Sequence, residues 1–429
     1  MASSLLDSSL QYLEPVIETA KQHVGLTIGA SAALYIIACN ALRFQRVRWW
    51  EKHLPYKTRD DYSRMTAEHA REITHYIAVA EFPWVYLKGM QFALFRTYGI
   101  PTISKLLVAT KQLSSRAHAT KRYADTEMLL GEFTTQKAGS ERSNAALARL
   151  NYIHGVYQKK GQITNDDMLY TLSMFALEPK RWIARYEWRE VTPLELCAFG
   201  TEWKEIGDAM NISYEPLPSY EKGWKDGLHW VEELDEWASA YEERCMVPNK
   251  WNHQTAEETT AMLLYTVPEW VKPIGRNLVS TLMDDRLRKA MMYPAPPPSY
   301  PMFVNTIFRI RKFIHRYLSL PRPWFLRLDF EFPQDKKTGR LQRKNYEHDP
   351  WYVKPSLKNR WGKQAWMNWM NGMPAPGDGG DKFWPQGVHY SEIGPASMLG
   401  KGAEEVEATK AKLMSMKLGG CPFAMGKAT

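Results

Sequence analysis

The feature that most constrains this chain is the run from Val24 to Leu42, VGLTIGASAALYIIACNAL, nineteen residues without a charge. As a helix rising ~1.5 Å per residue it nearly spans a ~30 Å hydrocarbon core, so the chain is expected to cross a membrane once. A cleaved leader starts basic and ends in a small-residue cleavage site, whereas here Asp7, Glu14 and Glu18 precede the run against Lys21 alone. Arg43, Arg46, Arg48 and Lys52 follow it with Trp49 and Trp50 among them, the cation excess and interfacial aromatics of a cytosolic flank. The expected layout is a lumenal segment over 1–23, a transmembrane helix over 24–42 and a cytosolic body. The competing reading is a buried apolar helix of a soluble protein, which Thr27, Ser31 and Asn40 would suit.

The body shows helical periodicity and no strand alternation of comparable strength, which predicts an all-α fold in one large domain over 43–320. The clearest helical runs are Arg116 to Phe133 and Ser140 to Lys159, joined by a short polar stretch and hence expected as an antiparallel pair. Earlier, a helix from Thr66 to about Lys88 is broken at Pro83, and another runs from Thr102 to Gln112. Later candidates are Asp166 to Leu177, Thr192 to Met210, Lys225 to Arg244, Ala256 to Leu264 and Pro273 to Met292. After Ala295-Pro296-Pro297-Pro298, the segment 303–318 sets Ile307, Ile310, Ile314 and Tyr317 on one stripe against Arg309, Arg311, Lys312 and Arg316. That pattern fits either a helix lying on the membrane or a surface helix packing its apolar face on the core. Residues 321–429, with GDGGDKFWPQG among them, read as an irregular C-terminal extension closed by a short helix near Ala403 to Met416.

Composition narrows the chemistry. With 17 Trp, 22 Tyr and 15 Phe the chain can line a deep apolar pocket for a greasy ligand. Cys39, Cys197, Cys245 and Cys421 are far apart and form no CxxC pair, which argues against a disulfide framework or a zinc site. The net charge of +9 is spread along the chain without a basic block interleaved with aromatics, so no nucleic-acid partner is expected and an anionic membrane surface explains the excess better. No phosphate loop, nucleophile elbow or zinc-protease motif is present.

On the run beginning near Ser140, Ala146, Leu150, Ile153 and Tyr157 form an apolar stripe with His154 beside it. A histidine so placed can ligate a metal, though spacing alone favours a satisfied core histidine. On the preceding helix Arg122, Asp125 and Thr126 stand at i, i+3 and i+4 and share a face, either a functional polar cluster or a surface ion pair beside an ordinary threonine.

Resemblance decides between these readings. Arg122-Tyr-Ala-Asp125-Thr126, Arg149-Leu-Asn-Tyr-Ile-His154, NDDMLYTLSMFALEP, RYEWR and LELCAFGTEWKEIGDAM look like the catalytic region of the MpaB family of ER-bound oxygenases. The likeness runs from Glu81-Phe-Pro through FALFRTYGIPTIS to DDRLRKAM. It implies a helical domain enclosing a haem pocket, a b-type haem whose iron is held by His154, and Arg122, Asp125 and Thr126 as catalytic residues. Arg149 stays open between a haem propionate and a helix cap. The implied reaction is O2-dependent cleavage of a C=C bond in the isoprenoid chain of a lipophilic, prenylated secondary-metabolite substrate, giving an aldehyde or acid, with Arg122 and Thr126 stabilising negative charge on oxygen. It also implies residence in the endoplasmic reticulum membrane, where a prenyl tail reaches the pocket from the lipid. The more distant bacterial rubber oxygenases are similar at Arg122 and Thr126 but carry a lysine where Asp125 stands, so the role of Asp125 is not carried over from them.

The rival readings differ in ligand set or in class. Cys421 in GGCPF offers a thiolate, but so near the end of the sequence that no helix follows. Glu72-Ile-Thr-His75 is a lone Glu-x-x-His pair where a non-haem di-iron site needs two. A non-catalytic anchored scaffold that binds lipid or haem without turnover is the alternative outside enzymes.

Overall fold

Helix starts in this chain are set by side chains that satisfy the free N–H groups of the first turn. Thr66, Ser140, Thr164, Thr192, Asp226, Asn249 and Asp284 each accept from their own helix's backbone, and Thr164 and Thr192 complete reciprocal capping boxes with Asp167 and Glu195. Pro83, Pro101 and Pro193 occupy first-turn positions where no donor is lost. The computed structural model describes residues 23–111, 113, 116–416 and 418–423, so most of the expected lumenal segment lies outside the described residues.

The helices are α1 Val24–Arg43, α2 Gln45–His53, α3 Ala67–Tyr76, α4 Pro83–Thr97, α5 Pro101–Ala109, α6 Arg116–Thr135, α7 Glu141–Gln158, α8 Asn165–Tyr186 and α9 Pro193–Ala209. They continue as α10 Gly227–Cys245, α11 Lys250–Leu263, α12 Lys272–Leu282, α13 Asp285–Ala290, α14 Ser299–Phe313, α15 Leu357–Trp361, α16 Lys363–Met370 and α17 Ala403–Ser415. Among the described residues there is no strand, only isolated bridges such as Leu341–Val388 in the extension. The fold is all-α.

The centre is the crossing of α4 and α8. Gly89 lies so close to Pro179 that a Cβ there would stand 2.9 Å from the proline Cα. This contact explains how α8 runs on through Pro179 to Tyr186, past the end expected at Leu177. A proline inside a helix costs one backbone bond and a local clash, and a glycine opposite gives the displaced backbone room. Around this pair α9 packs on α3 and α10, and α6 lies against α7.

α1 extends beyond the core. Leu26, Ile28, Leu34 and Ile37 are exposed, and only Cys39 and Arg43 near its end are buried. A buried helix of a soluble protein would show the reverse, so α1 is a candidate transmembrane helix.

The extension is no appendage. Leu341, Tyr352, Val388 and Ile393 are buried in the same core as the helical body. Arg343 pairs with Glu127, Tyr390 donates to Glu132, and Thr120 donates to Asp349 at 2.7 Å, so the extension is laid along α6.

Candidate active site

α6 and α7 are antiparallel: Arg142 and Glu132 pair near their connection, which brings Arg122 and His154 together at the far end. There the two helices, with α4, α5, α8 and α9, enclose a cavity of ≈ 1390 Å³, its open mouth included. Its walls are mainly apolar, with Leu106, Leu129, Ile153, Phe175 and Trp203 among them, and the last two rings stack at 5.2 Å. Arg122, Asp125, Thr126 and His154 all line it.

Their situations differ. His154 Nδ1 is buried without a hydrogen-bond partner. Burial, and then the nearby charge of Arg122, lower its pKa to about 4, so the ring is neutral at physiological pH, the form in which imidazole ligates a metal. Arg122 Nε is likewise buried and unpartnered. Among the described residues no carboxylate accepts from its guanidinium. The Thr126 hydroxyl donates to the Arg122 carbonyl at 2.8 Å, which leaves its lone pairs, not its proton, for a ligand in this rotamer.

Asp125 has both carboxylate oxygens occupied. Tyr352 Oη donates to one at 2.6 Å; Lys121 Nζ at 2.8 Å and Gly394 N–H at 3.1 Å donate to the other. Burial pushes its pKa up against the pull of Lys121, Tyr352 and Gly394. Arg149 is fully buried, is not part of the cavity lining, and closes the ends of the two short 3-10 turns Tyr390–Glu392 and Ala396–Met398 of the extension. It donates to the carbonyls of Ile393 at 2.9 Å, Met398 at 2.8 Å and Lys401 at 2.8 Å.

These contacts reveal wall residues that the sequence did not flag. Ile393, Gly394 and Pro395 of the extension close one side of the cavity. Gly394 sits at φ 121°, open to glycine, and a Cβ there would meet Ile153 Cδ1 at 2.9 Å. The available signal was the Gly394-Pro395 pair in an otherwise loop-like stretch. Tyr98 also lines the cavity, with its phenol pushed up to about 12 by burial and moderated by Arg122.

The donor set fits a haem better than a bare metal ion. Among the described residues no three His, Cys, Asp or Glu side chains lie close enough to hold a metal, whereas a haem would need a single side chain to hold its iron, and His154 would be that residue. A buried neutral imidazole with an unsatisfied nitrogen, in an apolar cavity, meets that demand. Cys421 donates to the Ser63 carbonyl at 3.2 Å, away from the cavity lining.

Comparison with known proteins agrees with the motifs. No protein-family model matches the chain. The ER-bound oxygenase mpaB' of Penicillium brevicompactum is 44% identical over 400 residues, 93% of each chain. The ER-bound oxygenase mpaB of the same organism is 42% identical over 364 residues, 85% of each. The ER-bound oxygenase mpaB of Penicillium roqueforti is 44% identical over 278 residues, 65% of this chain and 93% of the relative. With identity of this level along nearly its whole length, the chain belongs to the MpaB family of ER-bound oxygenases.

Proposed function

We propose that this chain is a haem-dependent oxygenase of the endoplasmic reticulum membrane that cleaves a C=C bond in the isoprenoid chain of a lipophilic substrate. The observation that carries this reading is the pair of unsatisfied buried groups, His154 Nδ1 and Arg122 Nε, in one apolar cavity. Buried polar atoms in folded proteins are nearly always paired, and exceptions at a cavity wall are places that a ligand, an ion or water can complete.

A b-type haem held at His154 would supply the iron redox chemistry that makes O2 reactive toward an alkene. Arg122 provides a fixed cation beside it, in a low-dielectric space where a developing negative charge on oxygen is stabilised far more than in water. Thr126 orients on the same face and can donate only by turning its hydroxyl from the Arg122 carbonyl. Asp125 positions Gly394 and Tyr352, and so the wall that excludes water. The alkene lies along the apolar walls. One O2 is consumed: the C=C and O–O bonds break and two C=O bonds form, giving an aldehyde and, at a methyl-branched carbon, a ketone. An acid requires a further oxidation of the aldehyde.

In this reading α1 anchors the chain with its N-terminus in the lumen and its body in the cytosol, as the cations after the span favour. Asn211-Ile-Ser213 then stays unglycosylated although Asn211 is exposed.

The test is an absorption spectrum of the detergent-purified full chain, oxidised and reduced, with a pyridine haemochrome assay. Wild type should show a Soret band and b-type haem; His154→Ala should lose both, and Arg122→Ala should keep the band while losing alkene cleavage. A folded wild type free of haem under full cofactor supply, or equal haem loss in both variants, overturns the assignment.

A further inference from the structure

Helix α14 and the turn that continues it to Leu318 are built the wrong way round for a water-facing surface. Two of their cations face the body: Arg311 donates to the Tyr186 carbonyl at 3.0 Å and to Glu187 at 2.8 Å, and Lys312 donates to the Ala184 carbonyl at 3.0 Å. Their larger apolar side chains face outward, with Phe303, Ile307 and Ile310 exposed, the last by 54%. Beyond the turn Phe325 stands 80% exposed and Trp324 50%. Large apolar side chains exposed in this number on a folded body mark a surface for a non-aqueous partner.

The partner is indicated by what the surface adjoins. Tyr35 Oη of α1 donates to the Leu318 carbonyl at 3.0 Å, Arg43 donates to the Ser319 carbonyl, and Arg316 reaches Asn40 Oδ1 at 3.4 Å. The end of α14 is therefore fastened to the last turns of the candidate span, level with where that span leaves the lipid. Arg309, Arg322 and Arg327 are exposed around the apolar face, a cationic rim suited to anionic headgroups.

We propose that α14, its terminal turn and the Trp324–Leu326 segment form a second membrane contact, a monotopic platform that lies in the headgroup layer and holds the body in one orientation against the bilayer. The platform rests on the reading of α1 as an anchor. Held this way, α4 and α8 point away from the lipid. Trp84 packs near Phe308 at the platform end, with ring centroids 6.2 Å apart, and Leu94 and Thr97 line the cavity about 15 Å further along the helix. A prenyl tail then has to leave the leaflet and thread that distance, instead of sliding in at lipid level.

The test uses the unmodified full chain in phosphatidylcholine–phosphatidylserine vesicles carrying a phospholipid with a diazirine on its acyl chain. After photolysis, peptides are mapped by mass spectrometry. Insertion is expected in α1 and in 302–326 at comparable yield, and about tenfold less in the solvent-facing segment around Glu243 of α10. The double variant Ile307→Asp, Ile310→Asp, at positions about half exposed, should keep the α1 labelling and a cooperative melt while losing the 302–326 labelling about tenfold. Labelling of α1 without 302–326 overturns the platform and leaves the anchor intact. Lipid labelling absent from both overturns the anchor and the platform with it. Protection of 302–326 with chain-to-chain crosslinks in place of lipid adducts overturns the platform in favour of a second copy.

Discussion

Two arginines on neighbouring helices show how differently one fold treats the same side chain. Arg96 of α4 is buried and fully answered: Glu242 takes two of its N–H groups at 2.7 Å each, Asp284 takes another, and Glu178 lies 3.6 Å away. Tyr170 donates to the same Glu242 at 2.9 Å, so the cluster ties α4, α8, α10 and the start of α13 together. Arg122 of α6 has an unpaired buried nitrogen and no carboxylate beside it among the described residues. The first arrangement serves the fold, because every charge brought out of water meets another. The second is a cost the fold does not recover by itself, and such a cost is retained where a ligand or a transition state uses it.

Substitution separates these roles. Arg96→Met should leave Glu242 with only Tyr170 and the half-exposed Arg286 at 3.4 Å, and Glu178 with Arg181 alone, and cost about 3 kcal/mol, read as a lowered urea midpoint of the detergent-solubilised chain. Arg122→Met removes an unpaired cation from an apolar cavity, so stability should hold within about 1 kcal/mol or rise, while alkene cleavage is lost. Comparable destabilisation by both would break the contrast and return Arg122 to a structural role.

Much of this was legible in the sequence where periodicity and caps agree. The runs expected over 116–133 and 140–159 are α6 and α7 almost to the residue, because Ser140 caps α7 and the polar stretch between them can do nothing but turn. The run expected over 273–292 is broken instead, since Asp284 caps a new helix and separates α12 from α13. Pro179 misled for a reason that lies elsewhere in the chain: its tolerance depends on Gly89, ninety positions earlier, and no local pattern reports a crossing. The site divides likewise. Arg122, Asp125 and Thr126 stand on one face of a regular helix, as spacing placed them, whereas their grouping with His154 as one site came from the resemblance; all four line one cavity. The wall made by Ile393 to Pro395, and the carbonyls that hold Arg149, belong to irregular backbone whose position is set by long-range hydrogen bonds. For the same reason periodicity found the amphipathic stripe of 303–318 but not which side of it faces the body.

Asp125 falls between the two arginines: it lines the cavity like Arg122 but is answered like Arg96. Asp125→Asn removes the charge paired with Lys121 and either faces its NH2 toward the Lys121 and Gly394 donors or leaves the Tyr352 proton without its acceptor, and should cost about 1–3 kcal/mol. The loss should be local, appearing as faster limited proteolysis of the extension between 341 and 400. Tyr352→Phe, which removes only one donor, should act in the same direction with a smaller effect of roughly 1 kcal/mol. An Asp125→Asn chain that keeps its protease resistance and its midpoint but loses turnover would move Asp125 to the side of Arg122.

The smallest expected effect sharpens the contrast by pH. His154 has its pKa lowered to about 4 by burial and by Arg122, against an ordinary value near 6.5. Between those values the unfolded chain binds a proton that the folded chain refuses, so stability present above pH 6.5 is lost as pH falls toward 4. His348, also lowered to about 4 chiefly by burial, acts with the same sign, whereas the buried carboxyls of Asp125 and Glu127, whose values burial raises, act with the opposite one. A comparison of haem-free wild type with haem-free Arg122→Met cancels those shared contributions. Without Arg122 one of the two causes on His154 is gone, its pKa moves back toward the ordinary value, and the loss between pH 6.5 and 4 should become shallower, by well under ~1.4 kcal/mol per pH unit. Urea midpoints at pH 7, 6, 5 and 4.5 measure it. Identical slopes in the two chains would mean that the guanidinium does not act on the imidazole, and that the two unsatisfied groups are neighbours on one wall without forming a single electrostatic site.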